Sequence, residues 1–372
     1  MDESVKSAVK EPLVHIVRRS DVKTWKAWLI RVAAVVLALI VNALFVYSVT
    51  GLDPIKVYTV MIQGTFQSTY NFLTSMRDMA LLLCIAIALA PAFKMRFWNI
   101  GAEGQVLMGG LATALVMIYL GDAMPPWLLM ATMFAASIIA GAVWAVIPAI
   151  FKAKWKTNET LFTLMMNYIA INIVDCLTNM WRGSKSSMGQ INGATQAGWF
   201  PRLLGYRFTI NIIIVLVLTV AMYIYLRYTK QGYEISVIGE SENTARYAGI
   251  NVKRAIIRTL IISGAICGVA GCITVAGKNQ TISVNTAGGY GFTAIIVAWL
   301  AKFNTFYMML IAFILIVLEK GAIQIASAYT LLNDYAADII TGIILFFILG
   351  SEFFINYRIV FHSRREKEGE QA

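Results

Sequence analysis

Few side chains in this sequence are equipped for acid–base or nucleophilic chemistry, and those few lie in unusual surroundings. Glu103, Asp175, Glu319 and Lys320 fall in or beside long apolar stretches, where an ionised group is rare and points to function. Around Glu103 the chain reads Asn99-Ile-Gly-Ala-Glu-Gly-Gln105, and a second break, Asn285-Thr-Ala-Gly-Gly-Tyr-Gly291, precedes another apolar run. Glycine breaks free backbone N–H and C=O groups, which inside a membrane must face protein or a watery cavity. Two matched breaks point to a translocation pathway; close helix packing through small residues such as Gly109 and Gly110 is the other reading. The candidate pathway residues are Asn99, Glu103, Gln105, Asn167, Asn172 and Asn285. Glu103 either lines the path or holds the broken helix by accepting backbone N–H bonds. Asn167 and Asn172 share one face only if their helix is tilted or distorted, and either bonds solute or joins helices. Glu319 and Lys320 are adjacent, which suits charge compensation with a neighbouring helix. The set is rich in amides and hydroxyls rather than one charge sign, so a neutral solute is expected.

Several chemistries are excluded by what is missing. The two histidines, His15 and His362, stand near the chain ends, leaving no intramembrane histidine base, no His-x-x-x-His metal pair and no Ser-His-Asp set. The cysteines Cys84, Cys176, Cys267 and Cys272 form no Cys-x-x-Cys pair, so neither a zinc site nor a disulfide framework is indicated. Gly277-Lys278 is followed by Asn279 and lacks the upstream glycine of a phosphate-binding loop. The expectation is a non-catalytic chain with no bound cofactor or metal.

The elements that must position these residues are membrane helices. Of 372 residues, 59% are hydrophobic and 14% charged, against about 25% charged in a soluble domain. Stretches such as Val32–Val41 and Ile210–Met222 show no polar face. Ten segments are expected, at 28–50, 79–93, 105–121, 127–151, 160–181, 209–227, 256–277, 292–301, 306–326 and 336–350. The second, third and eighth are short for a crossing that needs about 20 residues, so each is either extended by polar flanks or broken and partly re-entrant. Residues 51–181 and 228–350 read as two pseudo-repeated halves of an all-α polytopic fold.

The net charge of +11 comes from basic residues between spans, which suits anionic lipid and topology signals rather than nucleic acid. Most of the 31 basic residues fall on one side if both termini are cytoplasmic. Three parts follow: a basic tail over 1–27, a membrane domain over 28–350 and a second tail over 351–372. The stretch around Val14, Val17, Trp25 and Trp28 is either an amphipathic helix on the membrane surface or a solvated tail. The first 24 residues are polar, and no cleavable signal peptide is expected.

The longest inner loop, within 228–255, carries Gly239-Glu-Ser-Glu-Asn-Thr-Ala-Arg-Tyr-Ala-Gly-Ile-Asn251. Glu242 to Ala248 predicts a short helix stopped by Gly249. Such a helix is unnecessary for a connection and makes sense if another protein pushes on the bundle there. The segment resembles the coupling segment of ABC importer permeases in the branched-chain amino acid, ribose and nucleoside group. Phe97-Trp-Asn-Ile-Gly-Ala-Glu-Gly-Gln105 is similar to a hallmark of the nucleoside and simple-sugar branch. Thr160-Leu-Phe-Thr-Leu-Met-Met-Asn-Tyr-Ile-Ala170 and Gly289-Tyr-Gly-Phe-Thr-Ala-Ile295 are similar to two more. Trp98, Ser241 and Thr244 depart from the pattern.

The resemblance implies a permease subunit of an importer in the bacterial cytoplasmic (inner) membrane. It implies ATP-binding cassette subunits that use ATP and Mg, a second permease and an extracytoplasmic solute-binding protein. Glu242, Asn243, Ala245, Arg246, Tyr247, Ala248 and Gly249 would couple to the ATPase. A nucleoside is the first expected substrate, followed by a simple sugar or a riboflavin-like vitamin. The alternative is an ion-coupled secondary transporter that recruits Glu103, Asp175 or Glu319. A cytoplasmic coupling helix would have no purpose there.

Overall fold

A computed structural model of the chain describes residues 14–19, 23–51, 53–203, 205–206, 208–328 and 334–361. Most of the two tails, including His362, lies outside them. In chain order the elements are β1 (Val14–Arg18), α1 (Thr24–Thr50), α2 (Pro54–Phe66), α3 (Thr69–Lys94), α4 (Ala102–Leu120), α5 (Pro126–Trp155) and α6 (Glu159–Arg182). There follow α7 (Thr209–Tyr228), α8 (Lys230–Glu240), α9 (Glu242–Tyr247) and α10 (Val252–Cys272), which continues as a π-helical segment over Ile273–Asn279. The chain then forms α11 (Tyr290–Leu300), α12 (Thr305–Ala328), α13 (Asp334–Asn356) and β2 (Tyr357–Phe361).

All ten expected segments are helical. Among the described residues, nine helices are long and apolar enough to cross a membrane; α11 is a shorter apolar helix. At 1.5 Å per residue its 11 residues span about 16 Å, roughly half of a hydrocarbon core about 30 Å thick. The second segment is longer than expected, because α3 begins at Thr69. Its first turns carry Asn71, Thr74, Ser75, Arg77 and Asp78, which hid the helix from a search for apolar runs. The helix α2 was not anticipated.

Two compact units are distinguished, one over Ile62–Gly321 and one joining the two chain ends, up to Met61 and from Ala322. In the second unit α1 packs on α13. The Arg31 guanidinium donates to Glu352 at 2.5 Å, and the Asn42 amide donates to the Ile340 carbonyl at 3.3 Å. Beyond the helices β1 and β2 pair antiparallel, from Val14 opposite Phe361 to Arg18 opposite Tyr357. Val14-His-Ile-Val-Arg18 therefore forms a strand rather than a surface helix. Its β-branched residues face a matching run, Tyr357-Arg-Ile-Val-Phe361, and such residues favour a pleated pair. The ribbon thereby joins Val14–Arg18 to Tyr357–Phe361 at one end of the α1–α13 pair.

In the larger unit the centre is built from α3, α4 and α10. The apolar windows of these helices are 72%, 61% and 78% buried (for α10, with its π segment), against 28% for α5, α6 and α7. The close approach of α4, α5 and α10 rests on small side chains. Gly264 and Gly268 on α10 meet Ser137, Gly141 and Ala145 on α5, while Gly109 on α4 meets Gly268. A Cβ added at Gly268 would stand 2.1 Å from the Ser137 carbonyl oxygen, and one at Gly141 would stand 2.2 Å from that of Gly264. Lipid supplies no hydrophobic drive between such helices, so tight van der Waals contact through small residues must hold them.

The seam predicts opposite results for two Gly→Ala changes. Gly268→Ala must separate two backbones and is expected to destabilise the chain by about 1–3 kcal/mol. Gly350→Ala on α13 meets nothing within 4 Å and is expected to be neutral or to add up to about 1 kcal/mol through helix propensity. Thermal unfolding of both variants in detergent would check this; equal midpoints would contradict the seam.

Candidate functional site

The two glycine breaks meet. After α3 ends at Lys94, Arg96 turns the chain with φ 61° and Asn99 leads into α4. The Glu103 carboxylate, in the first turn of α4, reaches the start of α11. It accepts the Gly289 N–H at Oε1 and the Gly291 N–H at Oε2, both at 2.8 Å. Gly289 sits at φ 74°, and a Cβ at Gly291 would stand 2.6 Å from Glu103 Oε2. Both glycines are thus required, the first by its backbone conformation and the second by the approach of the carboxylate. A carboxylate on two orphan N–H groups of a helix N-terminus satisfies them and complements the dipole. Of the two readings of Glu103, this geometry is the one that holds the broken helix.

Around Glu103 the buried amides form a satisfied network. Asn99 Nδ2 donates to Gln105 Oε1 at 3.4 Å and to Ser263 Oγ at 3.3 Å, while Gln105 Nε2 donates to Asn99 Oδ1 at 3.2 Å. Asn99 Oδ1 also accepts the Gly101 N–H at 3.1 Å. From α6, Asn167 Oδ1 accepts the Gly104 N–H at 2.8 Å and its amide donates to the Ile100 carbonyl at 2.9 Å. Thr163 Oγ1 accepts the Ile100 N–H at 3.1 Å. Asn99, Gln105 and Asn167 thereby splice the break between α3 and α4 to α6 and α10.

The other two asparagines lie elsewhere. Asn172 faces away from Asn167, is exposed, and donates to the Tyr168 carbonyl one turn back at 2.7 Å. With Tyr168, Asp175 and Asn179 it makes an exposed polar stripe along α6, where Asn179 donates to Asp175 at 3.1 Å. Asn285 is exposed in the loop before α11.

A charged cluster also appears that the sequence reading missed. Asp78 on α3 is 1% exposed and contacts Arg77 at 2.8 Å, Lys278 at 3.0 Å and Lys320 at 2.6 Å. Glu319 beside it accepts the Tyr290 hydroxyl at 3.1 Å. Lys320 thus finds its countercharge on a neighbouring helix, as expected. Asp78 precedes the apolar run assigned to its helix and Lys278 follows another, so neither stood among the candidate residues.

At the other end of α3 lies the candidate coupling segment. A Cβ on Gly239 of α8 would stand 2.1 Å from the Lys94 carbonyl oxygen, so α8 lies directly on the end of α3. Glu234 of α8 accepts from Arg258 of α10 at 2.9 Å. Ser241 caps α9, accepting the Thr244 N–H at 3.3 Å, which gives this departure a structural use. Ala245 is buried, whereas Glu242, Asn243, Arg246, Ala248 and Gly249 are exposed and Tyr247 is 93% exposed. Arg246 faces Glu242 at 3.5 Å, and Gly249 ends the turn at φ 76°. Beside α8 a cleft of about 180 Å³ is bounded by Arg96, Lys152, Glu159, Glu240 and Glu242. The bulk of Trp98 is matched by Trp299 of α11, stacked at 5.3 Å between centroids.

Glu103 predicts a ranked pair of variants. Glu103→Ala leaves two N–H groups without their acceptor, of which the buried Gly291 N–H alone costs about 1–3 kcal/mol, and is expected to loosen α11. Glu103→Gln keeps one acceptor and is expected to fall between it and wild type. Labelling of a cysteine placed at the exposed Phe292 would report the order; equal labelling of both variants with wild type would refute the clamp.

Residues 71–349 match the family described as branched-chain amino acid transport system, permease component. The chain is 28% identical to a glucose ABC transporter permease protein of Haloferax volcanii, covering 92% of each chain. It is 28% identical to a guanosine ABC transporter permease protein of Bacillus subtilis, over 89% of this chain and 95% of that one. A probable riboflavin import permease protein of Treponema pallidum is 23% identical over 65% of this chain and 64% of its own length. With its membrane helices and these relatives, the chain belongs to the branched-chain amino acid transport system permease family, as a multi-pass permease subunit of an ABC importer.

Proposed function

We propose that this permease carries a nucleoside through a bacterial cytoplasmic membrane, with both termini in the cytoplasm and α8–α9 gripping an ATP-binding subunit. The observation that carries the coupling role is the fixed, exposed α9. Gly239 seats α8 on the end of α3, the Glu234–Arg258 pair ties it to α10, and Arg246 and Tyr247 are exposed to a partner. Arginine and tyrosine are the side chains that most often anchor protein interfaces. The exposed Glu242–Arg246 pair adds little to stability, so its service is to the partner. ATP and Mg belong to that partner, and this chain contributes no catalytic group.

The polar stripe of α6 supports a second permease. Asp175, Asn172 and Asn179 would be costly facing lipid; against a second permease they border a shared, watery path. A solute-binding protein would deliver cargo at the end remote from α9. The guanosine and glucose relatives favour nucleosides first and simple sugars next, with a riboflavin-like vitamin after them. Ion coupling is disfavoured because Glu103 and Glu319 already accept hydrogen bonds from protein donors and Asp78 is ion-paired.

Gentle purification of the tagged chain tests the assembly, and ATP-dependent guanosine uptake by the preparation tests the cargo. Recovery of an ATP-binding subunit and a second permease is expected; reproducible isolation of this chain alone, transporting without ATP, would overturn the reading. Arg246→Glu is expected to cut uptake at least about tenfold, a loss of about 1.4 kcal/mol in coupling, with insertion unchanged. Normal uptake in that variant would remove α9 from the coupling role.

A further inference from the structure

The Asp78 cluster lies far from the coupling helices. Asp78 and Lys94 stand sixteen positions apart on α3, about 24 Å along the helix. Three cations, Arg77, Lys278 and Lys320, surround Asp78, and Glu319 is the one other carboxylate in the group. The cluster therefore carries a surplus positive charge inside the bundle. A cluster that merely joined helices would be cheapest when neutral, since an uncompensated charge loses its hydration without repayment.

The unused hydrogen-bonding capacity lies on the two lysines. Asp78 Oδ1 receives Arg77 Nε and Lys278, and Oδ2 receives Lys320. Each ammonium has three N–H groups, and among the described residues each makes its ion pair to Asp78 alone. The side chains of Lys278 and Lys320 remain 23% exposed while Asp78 is 1% exposed, so part of each lysine lies outside the packed group. Lys278 also lies 5.5 Å from the Tyr290 ring centroid. Its position is set by the π-helical segment over Ile273–Asn279, a geometry found often at functional sites. Next to it, Gly277 is packed against Asn211, which is fully buried with neither side-chain polar atom hydrogen-bonded among the described residues. Unpaired polar capacity beside a surplus charge suits a ligand.

We infer that Lys278 and Lys320 form a solute-recognition subsite for an acceptor-rich group, such as the carbonyl edge of a nucleobase or a carboxylate. Surplus N–H donors and positive charge favour acceptors and repel cations and amino-bearing edges. The subsite rests on the permease reading above and narrows its substrate: a guanosine-like base with its ring carbonyl fits, and a plain sugar has no group that exploits the charge. The subsite adjoins the Glu103 clamp through Tyr290, one residue from both clamped glycines.

Saturation-transfer NMR on the assembled transporter in nanodiscs, with guanosine, adenosine, ribose and glucuronate as probes, tests this. Guanosine or glucuronate is expected to bind, the first assigning a base carbonyl and the second a carboxylate, with adenosine and ribose weaker by about fivefold or more. Lys320→Gln removes the surplus charge but leaves Asp78 two cations, so folding is retained, and the preferred probe should lose most of its signal. Lys320→Arg should keep it. If Lys320→Gln fails to insert, Lys278→Gln is read the same way. Unchanged binding in the glutamine variant, equal binding of ribose, or binding of no probe overturns the subsite. ATP-driven guanosine uptake by the same preparation separates those outcomes from failure of the nucleoside reading.

Discussion

The bond on which the larger unit depends is that between the Glu103 carboxylate and the backbone N–H groups of Gly289 and Gly291. Breaking a helix inside a bilayer exposes backbone donors that no water can satisfy. This chain breaks twice, before α4 and before α11, and brings the two breaks together so that a side chain of one supplies the acceptors for the other. The glycines are part of the same arrangement, since a Cβ at Gly291 would occupy the place of the carboxylate. The amides of Asn99, Gln105 and Asn167 then settle what remains of the first break. The result is irregular backbone held firmly inside the bundle.

That clamp requires α4 and α10 to lie close together, and here sequence sets the distance through absent side chains. Gly109, Gly141, Gly264 and Gly268 let three helices approach until backbone meets backbone. Branched residues at these places would move α4 outward, carrying Glu103 with it. The seam is thus a condition for the clamp, although the two share no residue. A similar dependence holds at the other end of α3, where Gly239 lets α8 sit on the Lys94 carbonyl.

The apolar runs were long enough to make ten helices legible, and Glu242 with Gly249 announced α9. The sequence also showed that the glycine breaks were a matched pair, but not that Glu103 bridges them, because 186 residues separate the carboxylate from the Gly289 N–H that it accepts. The first ten residues of α3 escaped notice because Asn71, Arg77 and Asp78 interrupt the apolar signal. The burial of Asp78 depends on Lys278 and Lys320, both far off in the chain, so no local pattern reveals it. The strand at Val14–Arg18 was hidden in the same way, since its partner stands at the other end of the sequence. Local propensity marks an element; only the tertiary partner decides whether a charge within it is tolerable.

Helix α3 carries these separate constraints on one rod. Near its start Asp78 gathers Arg77, Lys278 and Lys320; at its end the Lys94 carbonyl bears on α8. Between them, Met79 to Phe93 is continuously buried, and Cys84 donates to the Ile266 carbonyl of α10 at 3.8 Å. A helix packed on every side has little freedom to bend, because filled interiors transmit displacement rather than absorb it. Pro91 is the exception: it lacks an N–H and leaves a carbonyl of the preceding turn without its helical donor, one turn before α8 makes contact. The end of α3 that meets α8 is therefore its most deformable part, and the stretch that reaches the charged cluster its stiffest.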